Sequence, residues 1–270
     1  MNRIEQTFKN NKKKVFIAYL VCGDPDIRTT VKIMNTLVTS GVDLIELGVP
    51  FTDPIADGPV IQKSIERALK KNVNLNDVFS VCKKFRKENK TTPLVLMGYL
   101  NPIENLGYKK FSKTAARSGV DGVLVVDSPP EESSMLSSVL QDNDIWNIHL
   151  ASPTTDKSRL ESIVKASKGY LYYVSLKGIT GSKISNITSI KQSINMIKKV
   201  NKNDLPVVVG FGIKDKQTAK RISQVSDGVI IGSSFVKIIE ENLHNKHRMV
   251  DNINKYAKKI KTSIVNKWAG

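Results

Sequence analysis

Short apolar runs rich in β-branched residues alternate with longer amphipathic segments along the whole chain, and this alternation limits the fold more than any other feature. The runs are Val15–Ala18, Leu44–Leu47, Leu94–Met97, Gly122–Val126, Asn147–Leu150, Leu171–Val174, Val207–Val209 and Gly228–Ile231. Most carry few polar residues, as a parallel strand reads when both its faces are covered. Between them, Thr29–Ser40 places Val31, Ile33, Met34 and Leu37 near one helical face and stops at Gly41. Pro59–Lys70 follows Gly58 with a proline in its first turn, where the missing N–H costs nothing. Leu75–Lys87, Tyr108–Ser118, Glu131–Gln141, Arg159–Ala166, Ser189–Val200, Lys216–Gln224 and Phe235–Lys259 have similar helical patterns. Strands alternating with helices predict a parallel sheet with right-handed crossovers, and eight such units close into a barrel. An open doubly wound sheet usually has a glycine-rich turn after its first strand. Here Val21-Cys22-Gly23-Asp24-Pro25 lacks the dinucleotide spacing. The expected fold is α/β, a single (β/α)8 TIM barrel over residues 1–270, with an extra N-terminal helix.

Composition agrees and removes other classes. At 270 residues and 40% hydrophobic, the chain suits one α/β barrel. It has no apolar run long enough to span a membrane, and Met1–Lys14 is polar and basic, unlike a signal peptide. A cytoplasmic protein is expected. Cys22 and Cys82 lack metal-ligand spacing and read as small buried hydrophobes; no metal is expected. The net charge of +17 comes from lysines scattered over many helix faces, with little aromatic interleaving. A nucleic-acid partner is not expected from that pattern, although the charge helps draw in an anionic substrate.

In a barrel, chemistry sits on the loops after the C-terminal strand ends. Glu46 interrupts the otherwise apolar second strand, where desolvation disfavours its charge. A buried acid of raised pKa can both take and give protons near neutrality; the structural alternative is an acid paired with a lysine or an amide. The stiff loop Phe51-Thr52-Asp53-Pro54-Ile55-Ala56-Asp57-Gly58-Pro59 follows. Asp57 precedes a helix, so an N-cap is its alternative role, and Asp53 has a turn-forming alternative. Spacing does not say which aspartate faces a substrate. His149 falls in a predicted strand and reads as a core or rim group, whereas His244 and His247 fall in a basic helical stretch.

Glycine segments occupy the ends of the last three predicted strands: Ser175–Gly181, Gly210-Phe211-Gly212 and Gly232-Ser233-Ser234. Glycine lets backbone N–H groups approach an anion, and Gly232-Ser233 opens a helix whose N-terminus favours phosphate. A small phosphorylated substrate is expected there. The stretch Gly178–Ile184 reads as a lid.

The run from Ile45 to Gln62, which contains both carboxylates, closely resembles the signature of the tryptophan synthase alpha chain family. The likeness covers nearly the whole chain, including Gly23-Asp24-Pro25, Met97–Pro102, Asp127-Ser128-Pro129, Gly178–Gly181 and Gly210–Gly212. It implies a lyase that cleaves indole-3-glycerol phosphate to indole and glyceraldehyde 3-phosphate by a retro-aldol reaction. It implies Glu46 as the acid–base group, Asp57 as the partner of the indole N–H, and Asp53 on the side facing a partner subunit. It also implies Gly181, Gly212, Gly232 and Ser233 as phosphate ligands. Tyr19, Leu96, Leu124, Val126, Leu150, Tyr172 and Phe211 would surround the indole, and Thr180 would close the lid. No cofactor is implied in this chain. Pyridoxal phosphate would belong to a partner beta chain, in a heterotetramer of two alpha and two beta chains contacted through the Asp53-Pro54 loop and the Asn101-Pro102 region. One departure stands out: Leu176 and Lys177 follow Ser175 where some members carry arginine, so such an arginine cannot pair with Asp127.

Overall fold

The computed structural model describes residues 1–10, 14–175, 187–201, 204–210 and 212–264. After helix α1 (Arg3–Asn10) the strands are β1 (Val15–Val21), β2 (Leu44–Gly48), β3 (Leu94–Gly98), β4 (Gly122–Val125), β5 (Trp146–Ile148), β6 (Leu150–Ala151), β7 (Leu171–Val174), β8 (Val207–Gly210) and β9 (Gly228–Ile231). They form one parallel sheet in the order β5-β4-β3-β2-β1-β9-β8-β7-β6. The two ends of that order, β5 and β6, are separated in sequence only by His149, so the fifth predicted strand pairs β4 with its first half and β7 with its second. This closes the barrel, and the expected strand Asn147–Leu150 is corrected to two short strands.

Helices α2 (Ile27–Thr39), α3 (Pro59–Leu69), α4 (Leu75–Glu88), α5 (Leu100–Leu106), α6 (Tyr108–Arg117), α7 (Ser134–Gln141), α8 (Lys157–Ala166), α9 (Ile187–Val200), α10 (Lys216–Ser223), α11 (Ser233–Glu241) and α12 (Lys246–Lys261) accompany the sheet. Several begin where a side chain satisfies first-turn donors. Asp26 accepts from Thr29 N, Asp156 from Arg159 N and Asp215 from Thr218 N. The expected single helix Phe235–Lys259 is instead two: α11 ends at Glu241 with Asn242 as its C-cap, and Asn245 caps α12 by accepting from Arg248 N at 3.0 Å.

Side chains alternate between two buried clusters, as strand geometry requires. Phe16, Ala18, Ile45, Leu47, Leu94 and Leu96 belong to the cluster that also holds helix residues such as Ile33 and Phe85. Ile17, Leu44, Val95, Leu124, Tyr172 and Val208 fill the inner cluster. Ile4 of α1 joins that inner cluster at 0% exposure, which stabilises the fold by roughly 2 kcal/mol. At the same end, Asp121 pairs with Arg86 at 2.6 Å and with Arg3 at 2.7 Å.

Candidate active site

Parallel pairing sets Tyr19 of β1 beside Glu46 of β2, and Glu46 beside Val95 of β3. Leu44 and Val95 are inner residues, so Glu46 shares their side of the sheet. It is fully buried. Tyr170, immediately before β7, donates its hydroxyl to Glu46 Oε1 at 2.5 Å. Glu46 Oε2 is buried with no hydrogen-bond partner. Burial pushes the carboxyl up to about 7, against the opposing pull of the Tyr170 hydrogen bond. The acid therefore populates both protonation states near neutral pH, as an acid–base group needs.

Asp57 ends the β2–α3 loop. The N-cap of α3 is Gly58, with no side-chain cap bond. Asp57 instead accepts from the Tyr99 hydroxyl at 2.7 Å, and Tyr99 in turn accepts from Ala56 N at 3.0 Å. Burial raises the Asp57 carboxyl and the Tyr99 donor opposes it. Asp53 is exposed and takes a hydrogen bond from Thr52 at 2.6 Å. The two loop aspartates, which spacing leaves equivalent, thus sit in different surroundings.

Tyr19 and Tyr172 are both buried. Burial raises both phenols, and the charges of Glu46 and Asp57 raise them further, so both carboxylates act on both rings. The rings fit because glycines face them. A Cβ on Gly48 would lie 2.3 Å from the Tyr19 hydroxyl, and one on Gly210 would lie 2.2 Å from that of Tyr172.

A cavity of about 220 Å³ runs from Tyr19, Asp57 and Tyr172 to Gly212, Gly232 and Ser233. A second, of about 760 Å³, shares Asp57, Gly58, Pro59, Met97 and Tyr172 with it and extends past Val126 and Leu150. The Gly212–Ser233 end of the smaller cavity is built from backbone. Gly212 has φ +75°, which favours glycine, and nothing lies near the space a Cβ would take. Ser233 opens α11, whose first turn has no side-chain cap, leaving N–H groups for an anion.

Tyr19, Val126, Leu150 and Tyr172 line the cavities. Leu96 does not, and that expectation is corrected: its neighbour Val95 points inward, so Leu96 packs in the cluster shared with the helices. Met97 takes its place, lining both cavities. Leu124 is wholly buried in the inner cluster and lines neither cavity. Thr180, Gly181, Phe211 and the stretch Gly178–Ile184 lie outside the described residues, as do Leu176 and Lys177. Asp127 is exposed and accepts from Leu100 N at 2.9 Å. His149 lines the larger cavity but is buried near Ser133 and Ser167, with ring-to-hydroxyl distances of 3.2 and 3.4 Å. Burial lowers its pKa to about 4, which leaves it neutral.

Sequence reasoning missed Tyr99, Tyr170 and Met97. Met97 was recoverable by counting inward and outward positions from Glu46 along the paired strands. Tyr99 stands within a motif that the sequence analysis singled out, yet only the folded loop brings it to Asp57. No local signal connects Tyr170 to an acid 124 residues earlier. Among the described residues, no group of three or more His, Cys, Asp or Glu side chains could hold a metal ion, and no helix is long and apolar enough to cross a membrane.

Comparison with known proteins bears on the family and the fold. The profile of the tryptophan synthase alpha chain family matches residues 6–265. The alpha chain of Nitrosomonas europaea is 49% identical over 245 residues, covering 90% of this chain and 88% of that one. The solved alpha subunit of Legionella pneumophila superposes with a TM-score of 0.91 at 40% identity, covering 98% of both chains. A chain from the tryptophan synthase complex of Pyrococcus furiosus superposes at 0.82 with 34% identity, covering 93% of this chain and 99% of that one. With the barrel and these likenesses together, the chain belongs to the tryptophan synthase alpha chain family.

Proposed function

We propose that this chain, a lyase of tryptophan biosynthesis that cleaves indole-3-glycerol phosphate to indole and glyceraldehyde 3-phosphate, does so with Glu46 and Asp57 as its acid–base pair. The observation that carries the reading is Glu46 itself. It is a wholly buried carboxyl with a pKa near 7, one oxygen held by Tyr170 and the other unpartnered beside the cavity's tyrosines. The substrate's phosphate lies at Gly212, Gly232 and Ser233; the resemblance adds Gly181, which lies outside the described residues. Its indole lies among Tyr19, Met97, Val126, Leu150 and Tyr172; the resemblance adds Phe211, which lies outside the described residues.

Breaking the carbon–carbon bond needs a proton added at the indole ring carbon, so that the ring accepts the bonding electrons. It also needs a proton removed from the glycerol hydroxyl, so that the aldehyde forms. Those gains and losses balance, and one group that exchanges protons near neutrality serves both. Glu46 is that group. The Asp57 carboxylate accepts the indole N–H and stabilises the positive charge that develops there, in a site where charge is poorly screened. By the resemblance, Thr180, which lies outside the described residues, would close a lid over the substrate.

The chain acts as one barrel domain with a tryptophan synthase beta chain, in a tetramer of two alpha and two beta chains. The partner carries pyridoxal phosphate and receives the indole. Ile55, 85% exposed on the Asp53–Pro54 loop, supplies an apolar contact for that face. Both chains work in the cytoplasm.

The test is indole release from indole-3-glycerol phosphate by the purified chain, alone and with a beta chain. The expected result is slow release alone, faster release with the partner, and loss of at least about a thousandfold in Glu46→Gln. Unchanged turnover in Glu46→Gln would remove the acid–base assignment.

A further inference from the structure

The reaction just described leaves α1 without a role, yet α1 is tied to the group beneath Glu46. Ile4 is fully buried in the same inner cluster as Tyr170. Phe8 sets its ring against Tyr170 with centroids 5.8 Å apart and planes at 42°. Gly169, immediately before Tyr170, has φ +85°, and a Cβ there would lie 2.8 Å from Trp146 and 3.3 Å from Ile4. The chain can therefore bring Tyr170 this close to α1 only through a glycine. α1 is anchored by contacts remote from the cavity: Arg3 to Asp121 and to the Lys90 carbonyl, both at 2.7 Å, and Asn2 to the Asp121 carbonyl at 2.9 Å.

Resting on the reading that Glu46 is the acid–base group, we propose that α1 is part of the active site's construction. Ile4 and Phe8 are positioning residues that hold the Tyr170 hydroxyl on Glu46 Oε1, and so fix the orientation and acidity of Glu46 from beneath the barrel. The physical ground is the geometry of a single short hydrogen bond. Tyr170 is the one described side chain that donates to Glu46, and the other carboxylate oxygen has nothing to hold it. A phenol donor stabilises the ionised carboxylate, and that effect falls steeply as distance and angle drift. The other groups with electrical influence here are the neutral phenols of Tyr19 on β1 and Tyr172 on β7, and Asp57 on the β2–α3 loop. None of them supplies a cation that would stand in for the lost donor.

The experiment is the pH profile of kcat/KM for indole-3-glycerol phosphate cleavage, with the acid limb as the readout. Without its donor, Glu46 stays protonated to higher pH, so Tyr170→Phe moves the acid limb up by about one unit. Phe8→Ala moves it in the same direction by a smaller amount. Phe8→Tyr, which keeps the ring, restores the original limb. Phe8→Ala added to Tyr170→Phe gives no further shift. A folded Phe8→Ala protein with the original limb and only a lower melting temperature overturns the proposal, as does a shift that adds to that of Tyr170→Phe. Should Phe8→Ala not fold, Phe8→Leu decides by the same criterion. Failure of the underlying reading looks different: Glu46→Gln would keep its activity and the same limb.

Discussion

The Tyr99 hydroxyl donates to Asp57 Oδ2 at 2.7 Å while accepting from the Ala56 amide at 3.0 Å, so one phenol fastens both the Asp57 carboxylate and the backbone beside it. Burial raises Asp57 and the Tyr99 donor opposes that rise. Tyr99→Phe removes the donor and orphans the Ala56 N–H. A hydrogen bond to a charged group contributes about 1.5–3 kcal/mol, of which Asp57's partial exposure to the cavity screens a share. The expected outcome is a fall of about tenfold in kcat/KM, larger below neutral pH, where the less stabilised Asp57 protonates sooner. A pH series of steady-state rates checks it.

The raised pKa of Glu46 has a consequence for stability. In the unfolded chain the carboxyl titrates near its ordinary 4.5, and in the folded chain near about 7. Between those values the folded state holds a proton that the unfolded state has released. Stability from this group is therefore fully present below about 4.5 and is lost as pH rises through about 7. The span corresponds to roughly 3 kcal/mol. Glu46→Gln removes the titration, so its urea midpoint should change less with pH across this window and exceed that of the original chain at about pH 8.5. A Glu46→Gln protein that is less stable than the original at alkaline pH would contradict the burial argument.

At the opposite end of the barrel, Asp121 is 3% exposed and carries Arg86, Arg3 and the Leu94 N–H on its two oxygens. Asp121→Ala leaves the Arg86 guanidinium buried without its counter-charge, which costs about 3–5 kcal/mol. Equilibrium urea unfolding should show that loss. Asp121 lines neither cavity, so the folded fraction should keep lyase activity, with the acid limb of its pH profile displaced only as far as the loss of the Arg3 contact loosens α1.

The sequence revealed the barrel because parallel strands covered on both faces are nearly uninterrupted apolar runs, and Glu46 was visible as the acid that breaks one. Properties set by long-range packing were not legible. Asp53 and Asp57 differ only once Tyr99 closes on the second. Phe235–Lys259 reads as one helix because its apolar spacing continues across Asn242–Asn245, where side-chain capping by Asn245 starts a new one. Leu96 was assigned to the pocket by resemblance, while strand parity, available from Glu46 and Val95, points to Met97. The polar, basic composition of Met1–Lys14 conceals Ile4 and Phe8, one helical turn apart and both turned toward Tyr170.

Gly210 and Tyr172 form a steric pair whose logic can be tested in both directions. They are close because β7 and β8 pair with Val174 beside Gly210, bringing the phenol across the end of β8. A Cβ on Gly210 would meet the Tyr172 hydroxyl at 2.2 Å, the ring carbon bearing it at 2.5 Å and a further ring carbon at 2.6 Å. No rotation of the hydroxyl relieves contacts with the ring itself, so Gly210→Ala must push Tyr172 into the space where the two cavities meet. A displacement of about 1 Å at a reacting site costs on the order of a hundredfold in rate, and the loss should appear in both kcat and KM because Tyr172 lines both cavities. Tyr172→Leu alone removes a wall of the cavity and should weaken binding. Combined with Gly210→Ala it removes the atoms that clash, so the double variant should be more active than Gly210→Ala alone. Equal or lower activity in the double variant would mean that the damage from Gly210→Ala reaches the site through the backbone of β8 and not through Tyr172.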